Sequence, residues 1–334
     1  MQIAWRIKIH HIAHIITASD NKVFALANHS KLLCLNSRTG EEYWSVNVIN
    51  PWGWLALNSK TVFYLNQHDF LMAFDIDSGQ QIWPKKLESI FGWLHASENS
   101  VIVGGWRGYT NLFCIDATTG KICWEFTTVN KKINRIFISE NQLNVGIAFN
   151  NQSQIIFLEL ATGQQINQIK IDGIWTKANF DYIPLSSSGS WKGINRYLIF
   201  QHTESKFYRV DSNFFNVQDF EIEQKIKLQN IEEHSGLVPF IGQDNSLCIF
   251  SIKTNKSINI GKIQHNSQNI LPIYIQNELS AIVGTSSGMI YHFDNTNRYS
   301  KIKVGKRIST SLNWSGNNLC FGTASGEIIG VSLE

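Results

Sequence analysis

The sequence is short of charge. Asp, Glu, Lys and Arg make up 16% of its 334 residues, against about a quarter in ordinary soluble proteins. Net charge is +3 with the histidines neutral, and Lys85-Lys86 and Lys131-Lys132 are the densest basic pairs. That distribution has no nucleic-acid footprint. No apolar stretch reaches the roughly 18 residues of a membrane-spanning helix, so no integral membrane segment is expected. The opening MQIAWRIKIHHIAHII is interrupted by Arg6, Lys8, His10, His11 and His14, and no lipoprotein-type cysteine follows. It does not read as a secretory signal. The five cysteines, Cys34, Cys114, Cys123, Cys248 and Cys320, include no CxxC pair, which argues against zinc and redox motifs. The expected compartment is the cytoplasm, with the periplasm as the alternative.

Familiar catalytic signatures are also missing. There is no GxSxG, Walker sequence or GxGxxG. His10 and His14 would share one strand face but lie about 13 Å apart at ~3.3 Å per residue, too far for one metal. Asp75-Ile-Asp77-Ser-Gly79 resembles part of a calcium loop but lacks the remaining oxygen ligands and the distal Glu. No catalytic, cofactor-binding or metal-binding residue is expected, and oligomeric state is not legible.

What the chain has is a repeat. LFCIDATTGKICWEF at 112–126 joins an apolar run, an acid, a Thr-Gly turn and a Trp. LCLNSRTGEEYW at 33–44 and MAFDIDSGQQIW at 72–83 repeat it, and IFLELATGQQIN at 156–167 replaces the Trp with Asn167. Each copy reads as two antiparallel strands around a turn in which Gly takes φ > 0. A hairpin alone is marginal in water, so stacked copies must supply its partners. The residue in the Asp116 position can be followed as Asn36, Asp75, Asp116, Glu159, Asp211, Ser251, Asp294 and Ser332. The spacing is about 40 residues, with one interval of about 52, which is the period of propeller blades.

The expected fold is all-β: a single eight-bladed β-propeller of four-stranded antiparallel blades spanning 1–334. The C-terminal NNLCFGTASGEIIGVSLE stops before an outer strand, and IAWRIKI carries Trp5 where that strand's Trp would fall. A blade-closing strand at 1–9 is therefore expected to complete the last blade and close the ring. Well-kept repeats occupy 10–171, a long inter-blade loop 172–192, and eroded repeats 193–334. Trp5, Trp44, Trp83 and Trp124 read as blade-to-blade packing residues. Cys34 and Cys114 share one repeat position and are expected to be buried in separate blades. Asn255 and Asn297 lie near the glycine position of the lost turn motif, where Asn best tolerates φ > 0.

VFALANHSKLLCLNSRTGEEYW and VFYLNQHDFLMAFDIDSGQQIW resemble repeats of the PQQ-like propeller family. The likeness is good over 20–170 and eroded over 195–334. That family includes quinoprotein dehydrogenases and a non-enzymatic propeller of bacterial outer-membrane assembly, and the chain resembles the latter more. The dehydrogenases typically offer adjacent cysteines to the cofactor and carboxylate or amide ligands to calcium. This sequence has no Cys-Cys dipeptide, so neither PQQ nor enzymatic activity is expected.

Aligning the copies places Ile15, Trp54, Trp93 and Arg135 together near the start of the innermost strand, towards one mouth of the channel. One reading makes Trp52, Trp54, Trp93 and Arg135 an aromatic and cationic rim for a partner peptide, since Trp and Arg are enriched at interface hot spots. The other makes the tryptophans wedges that fill the core between blades. Trp175, Tyr182 and Trp191 flank the SSSGS segment of the long loop, which reads as a binding loop or a plain insertion. The functional expectation is a non-catalytic protein-binding scaffold in a larger assembly. Small-molecule or glycan binding at a Trp-rich mouth is the alternative, followed by a quinoprotein-type oxidoreductase.

Overall fold

The computed structural model describes residues 1–9, 16–19, 21–27, 30–48, 53–66, 68, 70–88, 92–105, 110–127, 133–149, 154–171, 194–195, 197–201, 206–223, 237–242, 244–263, 273–277, 280–285, 287–294, 299–310, 312–315 and 317–333. Among these residues there are 31 strands and no helix.

Among the described residues the strands form eight separate sheets, numbered in chain order as blades 1 to 8, and the architecture is a β-propeller. Blade 1 comprises Ile16–Ser19, Lys22–Ala27, Lys31–Asn36 and Glu42–Asn47. Blade 2 comprises Gly53–Leu57, Thr61–Asn66, Phe70–Asp75 and Gln81–Lys86. Blade 3 comprises Gly92–Ala96, Ser100–Gly105, Leu112–Asp116 and Ile122–Phe126. Blade 4 has Ile133–Ser139, Asn144–Phe149, Gln154–Glu159 and Gln165–Lys170. Blades 5, 6 and 7 begin at Tyr197, Leu237 and Ile273 respectively. Blade 8 joins Asn313–Ser315, Asn318–Thr323 and Glu327–Ser332 to the N-terminal strand Gln2–Lys8.

Four antiparallel strands are present in blades 1, 2, 3, 7 and 8, but not in every blade. Blade 4 gains a short parallel strand, Ile194–Asn195, paired with Ile138 and Ser139. Blades 5 and 6 present three strands among the described residues. The expected 172–192 loop lies outside those residues.

Burial explains the apolar runs. Thr61–Asn66, Asn144–Phe149, Ser246–Ser251 and Asn318–Thr323 are buried along their whole length, because neighbouring blades cover both faces. The outer strands are mostly exposed, with one buried Trp each in blades 1 to 3. A β-bulge interrupts the pairing of the third and outer strands in blades 1 to 4, after Cys34, Ala73, Cys114 and Phe157.

The four regular tryptophans follow one rule. Each outer-strand indole lies on the turn glycine of the next blade and donates its N–H to a nearby carbonyl there. Trp5 reaches Ser37 at 2.8 Å, Trp44 reaches Ile76 at 3.3 Å, Trp83 reaches Ala117 at 3.1 Å and Trp124 reaches Leu160 at 2.8 Å. The facing glycines are Gly40, Gly79, Gly120 and Gly163, all with φ between 68° and 77°. A Cβ at these glycines would fall 2.6–2.9 Å from the ring. Glycine is thus required twice here, by its backbone conformation and by the indole's approach.

The turn acid completes the motif. The Asp116 carboxylate accepts from the Thr118 and Thr119 amides at 3.1 and 2.7 Å and from the Thr119 hydroxyl at 2.7 Å. Asp75 does the same with Asp77 and Ser78. These bonds, led by the side-chain hydroxyls, hold both carboxyls below their ordinary range.

At the seam between blades 4 and 5 the partners are exchanged. Asn167 stands at the Trp position, and the turn glycine is replaced by Phe215, with φ 59°. Phe215 packs against Phe157 of blade 4, with ring centroids 4.6 Å apart. The aromatic ring comes from the downstream blade instead of the upstream one. A bulky residue in this backbone region is strained, and packing must hold it there. Blades 5 and 6 stack Phe220 on Phe250 at 4.9 Å, and blades 6, 7 and 8 are joined by shared apolar clusters.

Blade 8 meets blade 1 through Trp5 and further hydrogen bonds. Ser315 Oγ donates to Ser19 O at 2.7 Å, and Asn318 Nδ2 donates to Ser37 O at 2.8 Å. The N-terminal strand pairs with Glu327–Ser332 from Gln2↔Ser332 to Lys8↔Glu327. Arg6 adds an ion pair to Glu327 at 3.2 Å and a bond to Val304 O of blade 7 at 3.0 Å. Pairing this strand covers what would be an open sheet edge.

Candidate functional site

The expected rim maps to the innermost strands of blades 2, 3 and 4. Trp54 is the second residue of Gly53–Leu57 and pairs with Leu65. Trp93 is the second residue of Gly92–Ala96 and pairs with Gly104. Arg135 is the third residue of Ile133–Ser139 and pairs with Ala148. The blade 3 inner strand lies beside those of blades 2 and 4, so the repeat brings all three positions to one end of neighbouring strands.

The two tryptophans are half-buried. Trp54 packs against two apolar clusters, one shared by blades 1 and 2 and the other by blades 2 and 3. Trp93 packs against the cluster shared by blades 3 and 4 and stacks on His95, with centroids 6.1 Å apart and planes 14° from parallel. Each ring therefore acts as a wedge between blades and also retains an accessible part. The two readings made from the sequence are compatible. Core packing holds the rings, which lowers the entropy cost of engaging a ligand.

Trp52, Trp175, Tyr182 and Trp191 lie outside the described residues, as do His10, His11, His14 and Asn297. Cys34 and Cys114 are both fully buried, in blades 1 and 3, and burial pushes each thiol up to about 12. Asn255 takes φ 55°, as expected for a glycine substitute.

The sequence reading missed the exchange at the blade 4 and 5 seam. Its signal was present: Asn167 at a Trp position, followed by two phenylalanines in the turn Asp211–Phe215. Phe214 occupies the place of the hydroxyl residue in the regular turns and is 65% exposed. Leu143, in a blade 4 turn, is 63% exposed. The two turns touch where the Asn141 amide donates to Asn213 Oδ1 at 3.3 Å.

Among the described residues, no group of three His, Cys, Asp or Glu side chains could hold a metal ion. Ser280 Oγ lies 3.3 Å from His292 Nε2 in blade 7, but Ser280 is only 6% exposed. Burial also holds His292 below its ordinary value. Among the described residues, no helix is long and apolar enough to cross a membrane.

Residues 67–206 match the family model described as outer membrane protein assembly factor BamB. The resemblance read from the repeats is thus shown across blades 2 to 4 and into blade 5. The crystal structure of BamB from Moraxella catarrhalis is similar over 100% of this chain and 98% of that one, with TM-score 0.67 and 15% identity. A computationally designed protein, Ika8, is similar over 100% of both chains, with TM-score 0.72 and 12% identity. At these identities the structural likeness speaks for the fold. No curated protein matches the sequence.

Proposed function

We propose that this protein is a non-catalytic scaffold, a single propeller domain that binds another polypeptide within a larger assembly. The observation that carries the reading is the pair of half-buried tryptophans, Trp54 and Trp93, set at the same end of neighbouring inner strands. Rings held by the core on one side and accessible on the other suit the anchors of a protein interface. Trp52 and Arg135 would extend this rim, and Trp175, Tyr182 and Trp191 would form a second contact from the 172–192 stretch. The family match over 67–206 supports the assembly role, since its description names an outer membrane assembly factor.

Catalysis is not part of this reading. The same family description favours the periplasmic alternative for compartment, and the cytoplasmic expectation gains no support from it. The propeller itself has no affinity for nucleic acid in this account.

The test is affinity capture from the native lysate with wild type and a Trp54→Ala, Trp93→Ala, Arg135→Ala variant. The variant is first shown to be folded by its melting curve. A specific polypeptide held by wild type and lost by the folded variant supports the scaffold and its rim. The same polypeptide held equally by both refutes the rim. No polypeptide held by either refutes the scaffold.

A further inference from the structure

Blade 3 differs from the other described blades in having cysteine on both sides of its outer bulge. Cys114 of the third strand pairs with Trp124, the next pair is Ile115 with Ile122, and Cys123 is the extra residue between them. Cys123 lies near enough to Cys114 to raise its thiol further, beyond the effect of burial. Cys114 is fully buried and points its thiol towards Leu160 O at 3.8 Å. Cys123 is exposed, with its thiol 3.9 Å from Lys121 O. The bulge recurs in blades 1, 2 and 4, but there the positions equivalent to Cys114 and Cys123 hold Cys34 and Tyr43, Ala73 and Ile82, and Phe157 and Ile166. The repeat supplies the geometry, and blade 3 alone among these four supplies sulfur at both places.

We propose that Cys114 and Cys123 are a thiol–disulfide site, closed by a low-molecular-weight disulfide oxidant into a reversible bridge between the third and outer strands of blade 3. The exposed Cys123 thiolate attacks the oxidant, forming a mixed disulfide and expelling one thiolate. The Cys114 sulfur, once deprotonated, attacks Cys123 sulfur and expels the second. Two protein thiols thus become one disulfide, and the oxidant takes up two electrons and two protons as two thiols. The second step is slow near neutral pH because burial pushes the Cys114 thiol up to about 12. It should accelerate about tenfold per pH unit below that value.

Closing the bridge costs the fold little. Cys114 gives up its interaction with Ser100 and its long contact to Leu160 O, which still accepts the Trp124 indole N–H at 2.8 Å. The bridge also ties down the strand whose next residue, Trp124, locks blade 3 to blade 4. This inference is independent of the scaffold reading.

The experiment treats the full-length folded protein with oxidised glutathione, alkylates free thiols under denaturing conditions, and maps the peptides by mass. The expected product has two fewer thiols, a Cys114–Cys123 linked peptide and a free Cys34. It reverts with dithiothreitol. Cys123→Ser, a change at an exposed position, should keep Cys114 alkylatable under the same oxidant. A persistent glutathione adduct on Cys123 with Cys114 still free would overturn the proposal. So would a chain-to-chain bridge through Cys123, or full alkylation of all five cysteines.

Discussion

The indole N–H of Trp124 donates to the carbonyl of Leu160 at 2.8 Å, across the seam between blades 3 and 4. The ring is 9% exposed and lies against Gly163, so one side chain supplies both packing and a polar bond. Trp124→Ala should cost about 3–5 kcal/mol, the usual range for a large buried aromatic. Trp124→Phe keeps much of the packing but leaves the carbonyl short of a donor, and should cost about 1–3 kcal/mol. Urea unfolding midpoints measure both, and a Trp124→Phe midpoint equal to that of wild type would contradict the hydrogen-bond role.

The glycine side of the same lock has its own signature. Gly120→Ala places a Cβ 2.8 Å from Trp83 at φ 68° and should lose more than about 1 kcal/mol. Gly→Ala at an unstrained site would instead be neutral or stabilising. A melting temperature unchanged by Gly120→Ala would show that the seam relaxes freely.

The exchanged seam predicts a compensating pair. Phe215→Gly alone removes backbone strain but empties the contact with Phe157, for a net loss of about 1–3 kcal/mol. Adding Asn167→Trp rebuilds the arrangement used at the regular seams. The double variant should be more stable than the sum of its single effects by about 0.5–3 kcal/mol. Strict additivity, read from the same unfolding midpoints, would mean that the two positions do not substitute for each other.

The turn acids give a pH dependence. The Asp116 carboxyl is held below its ordinary range, first by the Thr119 hydroxyl and then by backbone amides. A depressed carboxyl adds stability above its unfolded value, about 3.9, and loses it as pH falls through the lower folded value. Asp116→Asn keeps an acceptor without the titration. Its stability deficit against wild type should therefore be present at pH 6 and shrink on acidification below about pH 4. Melting curves across that range test this, and parallel profiles would contradict it. The effect is small, because the group is exposed and screened.

Much of this fold could be read from the chain because its signals are local. Thr-Gly or Ser-Gly turns, apolar third strands and Trp at fixed offsets recur at 33–44, 72–83 and 112–124, and their spacing sets the blades. The docking of Trp5 on Gly40 could be anticipated because the last repeat stops one strand short. The Phe157–Phe215 contact was harder to see, since it joins two departures from the pattern that lie about 50 residues apart and make sense only across a seam. The rim was legible as positions, Trp54 and Trp93, but not as half-buried wedges. Exposure there depends on how neighbouring blades tilt, and no single repeat encodes that.

The N-terminal strand offers a direct assay of ring closure. Deleting residues 1–8 removes Trp5, the Arg6–Glu327 ion pair and the N-terminal strand's pairing with Glu327–Ser332. The variant should melt well below wild type and aggregate through its bared edge. Adding the peptide QIAWRIK in trans should restore the melting temperature in part. A deletion variant as stable and soluble as wild type would show that the last blade needs no outer strand.

The central claim is that a partner polypeptide binds at the inner-strand rim. The most direct measurement is site-specific photocross-linking in cells, with a photoreactive residue at Trp93 and, as control, at Ile82 on the outer strand of blade 2, 48% exposed. The account predicts an adduct with one polypeptide from position 93, weakened by Trp54→Ala, and none from position 82. An adduct from position 82 with none from position 93 would contradict it.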